Sequence, residues 1–239
     1  MEKRGLKKQE TQNNAARKKD SYTYEDIYKQ ARAVSEEVKM IRADETQGTY
    51  YVSIAVDLKI FSDEVDKFRL LQIIRESEEE RKYSLLAFNV LDDEVEMVLQ
   101  LQELAEIAEE GKDDMVQQRL TGIVHNLCND FLTYYRERWD RAGEQVRERV
   151  SWENIGDTVS MVKYCTDIHM RPLKEGYAEH LADYWWSSYQ TYRGNYNWHV
   201  MDIQPVDLCF SVNLAKGNDA FLRLQRNAQK MISKDFLKN

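Results

Sequence analysis

The sequence predicts a mainly α-helical protein, a multi-helix bundle gathered around one long central helix over residues 113–150, with short strands admitted near 50–60 and 207–214. Three observations carry that expectation. In DDMVQQRLTGIVHNLCNDFLTYY, residues Val116, Leu120, Ile123, Leu127, Phe131 and Tyr134 step by three and four and draw one apolar stripe along a helix. A second stripe follows through Tyr135, Trp139, Ala142, Val146 and Val150, so neighbours are expected on two sides of the helix. Composition agrees: only two prolines in 239 residues, with 32% charged side chains, favour long helices over a turn-rich β fold.

Residues 1–20 carry seven Lys or Arg against three acids and almost no large apolar group. Burial there is too small to offset the entropy of ordering, so a flexible basic tail is expected. Its cations are Lys3, Arg4, Lys7, Lys8, Arg17, Lys18 and Lys19. Thr23 and Asp26 then resemble a helix start, and Tyr24, Ile27, Tyr28, Ala31, Val34, Val38 and Ile41 trace an amphipathic face that ends near Ala43. Residues 50–61, YYVSIAVDLKIF, fit two templates. Val52, Ile54, Val56, Leu58 and Ile60 alternate as in a half-buried strand, whereas Tyr51, Ile54, Leu58, Phe61, Val65 and Phe68 repeat as in a helix. The helix is preferred because its repeat continues into the next segment, while Ser62 as a cap favours strand followed by helix.

From Tyr83 to Glu110 apolar residues occupy more than half of a projected helix, and Gly111 is expected to close an αα-hairpin with the central helix. Shorter helices follow, over about 158–170 before Pro172 and over 173–192 before Gly194, and Phe221, Leu224, Ala228, Ile232 and Phe236 mark a closing helix. Composition shifts near residue 151 towards aromatic residues. The expected units are thus the tail (1–20), a long-helix bundle (21–150) and a shorter aromatic-rich helical subdomain (151–239).

Composition also narrows the chemistry. Three dispersed cysteines, Cys128, Cys165 and Cys209, never form CxxC, which points to reduced thiols in the cytoplasm. Nine scattered glycines give neither a Walker A loop nor GxGxxG. None of His125, His169, His180 or His199 follows a Glu at −3, so neither a metal nor a cofactor is expected. Net charge is −8, and residues 76–114 hold fourteen acids against three bases. Such a body repels phosphate, so nucleic acid is expected only at the tail, and no membrane partner is expected.

Two constellations remain. Arg119 and His125 in RLTGIVHN resemble the Arg-x4-6-His signature of the HEPN family of helical ribonucleases. That resemblance implies an all-α, usually dimeric nuclease in which His125 is acid or base and Arg119 stabilises the charged phosphorane. In YWWSSYQTYRGNYNWH, Tyr184 and Tyr192 continue a core spacing, while Trp186, Tyr189, Tyr196 and Trp198 are candidates for a partner-binding patch. The favoured function is a non-enzymatic structural or adaptor subunit of a larger assembly, acting through helix-mediated protein contacts or self-association. It draws on the surplus apolar surface at 83–110. The HEPN-like nuclease is the alternative, and a tail-mediated binder of nucleic acid or an anionic surface is the third reading.

Overall fold

The computed structural model describes residues 48–104, 111–195, 201–208 and 213–236. At the first ambiguous segment, period two prevails over the helical repeat: β1 is Thr49–Val56. Val52, Ile54 and Val56 are β-branched and buried on one side, as a pleated strand requires. The helical repeat beyond it belongs to a separate helix, α1 (Glu64–Arg81), capped by the Asp63 carboxylate accepting from the Val65 amide. Lys82 leaves this helix in the left-handed conformation and hands the chain to β2 (Tyr83–Val90), which turns back as β3 (Glu94–Leu101).

The long helix expected across 83–110 is therefore a β-hairpin, and residues 105–110 lie outside the described residues. Its physical reason is burial on both sides. Leu85 and Met97 face one core while Leu86 and Val98 face another. A strand covered on both faces reads as a continuous apolar run, which projects onto a helix as apolar all round.

The central helix α2 spans Lys112–Arg138 and ends well short of residue 150. The far part of the second stripe lies elsewhere: Val150 belongs to β4 (Glu148–Asn154), and Val146 packs on the core just before that strand. Sheet order is β2-β3-β1-β4, with every neighbouring pair antiparallel. Two β-α-β units thus interlock, and α1 and α2 share one face over Val52, Ile54, Met97, Leu99, Ile74, Leu127 and Phe131. This β-α-β-β-α-β arrangement is the ferredoxin-like one. The mainly α multi-helix bundle, and any coiled coil within it, is thereby corrected to an α/β fold.

Helix α3 (Thr158–Lys174) packs on the opposite face together with α6 (Leu214–Phe236), through Leu86, Val98, Met161, Cys165, Ile168 and Phe221. Asp157 caps α3 by accepting from the Val159 and Ser160 amides. The helix passes through Pro172, because a missing amide in the last turn costs one bond while Pro172 and Leu173 are buried. The helix expected over 173–192 is broken into a 3-10 turn, Leu181–Asp183, and the short α4 (Tyr189–Tyr192). Between these two, Trp186 and Ser188 pair with β2 instead: the Val90 amide donates to the Trp186 carbonyl at 2.9 Å, and the Ser188 amide to the Phe88 carbonyl at 3.0 Å.

The strand expected near 207–214 is not formed at either end. Asp207 and Leu208 lie in α5 (Gln204–Leu208) and Leu214 opens α6, while 209–212 are outside the described residues. The basic tail and the helix expected at 23–43 also fall outside them. Strand β4 runs across residue 151, so the segment begun there shares its sheet with the segment before it.

Candidate functional site

The second face of the sheet is only half covered. Helices α3 and α6 lie over β2 and β3, and beyond α3 the outward side chains of β1, β3 and β4 turn polar: Tyr51, Ser53, Glu94, Glu96, Arg149 and Glu153. Period two places Glu94 and Glu96 on one side of β3. The register sets Glu96 opposite Ser53 on β1 and opposite Asn89 on β2. The Tyr51 hydroxyl donates to Glu96 Oε1 at 2.8 Å, and the Ser53 hydroxyl to Glu94 Oε1 at 2.8 Å. From α3, Arg171 Nη2 donates to the other Glu94 oxygen at 3.1 Å, and its Nε lies 3.3 Å from Glu175 Oε1. Tyr164 of the same helix stacks on Tyr51 at 4.9 Å between ring centroids.

Glu96 is 6% exposed, and among the described residues none hydrogen-bonds its Oε2. Burial lifts its carboxyl above the ordinary range; the Tyr51 bond opposes that shift, Glu94 adds to it, and Arg171 and Asn89 pull it back. Burial likewise raises the Tyr51 phenol, reinforced by the charge of Glu96. The Tyr164 phenol is pushed up to about 12, chiefly by its hydrogen bond to Glu153. The outer end of this face opens into a cleft of about 470 Å³, bounded by Ala55, Lys59, Asp93, Glu94, Arg149, Arg171, Glu175 and Tyr177. Both signs of charge meet there, and solvent reaches Lys59, Arg149 and Glu175.

The residues singled out by sequence do not converge. Arg119 donates to the main-chain carbonyls of Gln102 (2.7 Å), Lys82 (2.8 Å) and Arg81 (3.2 Å), and so closes the end of α1 onto α2. His125 is exposed and pairs with Asn129 one turn on, at 2.7 Å. Six residues apart on an unbroken helix, the two point about 120° apart. The HEPN-like site is therefore not assembled within this chain, and the fold is not all-α. Tyr189 is 4% exposed, edge-on to His169 at 5.8 Å, and Trp186 packs against the first core. Tyr196 and Trp198 lie outside the described residues, as do the tail cations Lys3, Arg4, Lys7, Lys8, Arg17, Lys18 and Lys19.

The adaptor reading is overturned at its source. Of its surplus apolar surface, residues 83–110, the part over 83–101 forms the two strands at the middle and one edge of the sheet, with apolar side chains buried in both cores, and 105–110 lie outside the described residues. No helix among the described residues is long and apolar enough to cross a membrane. Among the same residues, no cluster of three or more His, Cys, Asp or Glu is placed to hold a metal ion.

Several other polar clusters hold the fold together. Asp66, 1% exposed, accepts from Tyr134 at 3.0 Å and Trp139 at 3.0 Å, and Arg138 pairs with it closely. Lys67 pairs with Asp92 at 3.1 Å beneath the rings of Tyr177 and Tyr184. His169 is fully buried against Ser188 Oγ at 2.6 Å, and burial pushes its pKa down to about 3.

No family model matches the chain, and no curated protein is significantly similar to it. Among solved structures, a REP-associated tyrosine transposase bound to a REP hairpin aligns with 14% identity and a TM-score of 0.42, over 66% of this chain and 88% of that one. The cluster at Glu94 and Glu96 was visible in sequence only as two acids within an apolar run, EVEMVLQL. A polar pair at spacing two inside such a run is the signal that a strand, and not a helix, sets its geometry.

Proposed function

We propose that the chain is a ligand-binding domain whose cleft over β1, β3 and α3 takes a small polar molecule bearing both a cationic and an anionic group, such as an amino acid or a peptide terminus. Asp93, Glu94 and Glu175 are the sites for the cation, and Lys59 and Arg149 for the anion. One observation carries this reading: an open cleft in which Asp93, Glu94 and Glu175 stand beside Lys59, Arg149 and Arg171. Arg171 acts as the organiser, since it holds both Glu94 and Glu175 and fixes the spacing of the acidic wall. A polyphosphate backbone is the poorer fit, because Asp93, Glu94, Glu153 and Glu175 outnumber Lys59, Arg149 and Arg171 on this face.

The test is calorimetric titration with a panel of amino acids, dipeptides and polyamines, with single-stranded and hairpin DNA as the competing occupants. Saturable binding of a zwitterion, lost on Glu94→Gln, is the expected result. At a ligand concentration of about 100 times Kd, the melting free energy should rise by about 2.7 kcal/mol. Binding of DNA alone, or binding unaffected by Glu94→Gln, overturns the reading.

A further inference from the structure

The two edges of the sheet are treated differently by the chain itself. Along β2 the outward backbone groups are occupied: the Val90 amide by Trp186, the Phe88 amide by Ser188 Oγ at 2.9 Å, the Leu85 amide by Glu78 at 2.9 Å and the Leu85 carbonyl by the Asp202 amide at 3.0 Å. Along β4 nothing among the described residues does the same. The Ile155 amide donates to Thr49 and the Asp57 amide to Arg147, which fixes the pairing phase between β4 and β1. Residues 147, 149, 151, 153 and 155 therefore bond inward to β1, while the amides and carbonyls of Glu148, Val150, Trp152 and Asn154 point away from the sheet. Every residue of β4 except Trp152 is exposed, and Val150 is 36% exposed.

We infer that β4 pairs antiparallel with β4 of a second copy of this chain, about a two-fold axis at Ser151, to give one continuous eight-stranded sheet. The sequence of the strand, Glu-Arg-Val-Ser-Trp-Glu-Asn, is complementary to itself in this register. Val150 falls opposite Trp152 of the second copy, both on the face that carries the first core and both with outward backbone groups, so they form a hydrogen-bonded pair. Arg149 falls opposite Glu153 of the second copy on the other face, and the symmetric contact repeats it. Sliding the strands by two residues in either direction keeps the backbone phase but sets Arg149 against Ser151 or beyond the strand end. Charge and apolar matching thus select one register among those the backbone allows. Charged side chains guard this edge against other strands, and in this register Arg149 and Glu153 meet with opposite sign.

Sedimentation equilibrium on the full chain tests the pairing. The wild type should show a concentration-dependent mass approaching twice that of the monomer. Val150→Pro removes one outward amide from an edge position that tolerates proline, and should give a monomer with unchanged circular dichroism. Arg149→Glu and Glu153→Arg should each weaken dimerisation by tenfold or more, and the double reversal should restore it. A wild type that stays monomeric up to millimolar concentration overturns the proposal, as does a dimer indifferent to Val150→Pro or a double reversal that fails to rescue.

Discussion

The two faces of one sheet obey different rules. The face under α1 and α2 is closed, with Val52, Ile54, Met97, Leu99 and Phe131 at most 5% exposed and no charge among them. The face under α3 and α6 is closed over β2 and the Val98 part of β3, and beyond it gives way to Tyr51 and Ser53 of β1 and Glu94 and Glu96 of β3. Apolar packing is concentrated on the first face and polar contacts on the second, because a packed apolar layer tolerates no vacancy while a half-open polar layer exchanges internal bonds for solvent.

Substitutions on the closed face should cost most. Phe131→Ala, which removes a ring in contact with Phe61 at 4.9 Å and Tyr134 at 5.9 Å, should lower the unfolding free energy by about 3–5 kcal/mol in urea titration. A loss below about 1 kcal/mol would show that this core is loosely packed. Next in size is Asp66→Ala at the rim of the same face, which strands the Trp139 indole and takes one partner each from Tyr134 and from Arg138, which keeps Asp63. It should cost about 2–4 kcal/mol.

The second face should dominate the response to pH. Asp207, 3% exposed against α6, has its pKa raised to about 7 by burial, with Asn218 opposing and Asp202 adding to the shift. A raised carboxyl gives stability that is complete below the unfolded value of 3.8 and is lost as pH climbs through about 7. His169 acts in the opposite sense. With a folded pKa near 3, its contribution is complete above 6.5 and is lost as pH falls towards about 3. Between pH 4 and 6.5 the two slopes, each up to about 1.4 kcal/mol per pH unit, oppose one another. Asp207→Asn should therefore unmask a stability that rises with pH across this window, and His169→Gln one that falls. Chemical denaturation at four or five pH values distinguishes these profiles, and parallel profiles for both variants would contradict the assignment.

The smallest effect on folding belongs to the cleft. Glu94→Gln should change stability by less than about 1 kcal/mol, since Glu94 is only partly buried and Arg171 retains Glu175. Its effect should appear in ligand titration. A large loss of folding stability from this variant would mean that the Glu94–Arg171 pair is structural.

Much of the helical content was legible from local pattern. The stripe from Val116 to Phe131 lies in α2 with Leu120, Ile123, Leu127 and Phe131 buried and Val116 partly so, and the closing helix through Phe221, Leu224 and Ala228 is present, starting earlier at Leu214. The strands were harder to see. β1 carries both periodicities at once, and the β2–β3 hairpin shows none because both of its faces are covered. The candidate site was invisible for a related reason. Tyr51, the Glu94–Glu96 pair and Arg171 come from three elements spanning 120 positions, and only the strand register and the docking of α3 set Tyr51 on Glu96 and Arg171 on Glu94.

By itself, then, the sequence determined the properties that depend on near neighbours: the phase of α2, the charge imbalance and the absence of phosphate-loop glycines. Tertiary structure decided which of two compatible periods residues 49–56 adopt, that residues 83–101 pair with one another, and that Arg119 spends its donors on carbonyls at the end of α1. The reason is that a strand has no internal hydrogen bonds. Its amides and carbonyls are satisfied only by partners distant in sequence, so its identity is settled where those partners meet.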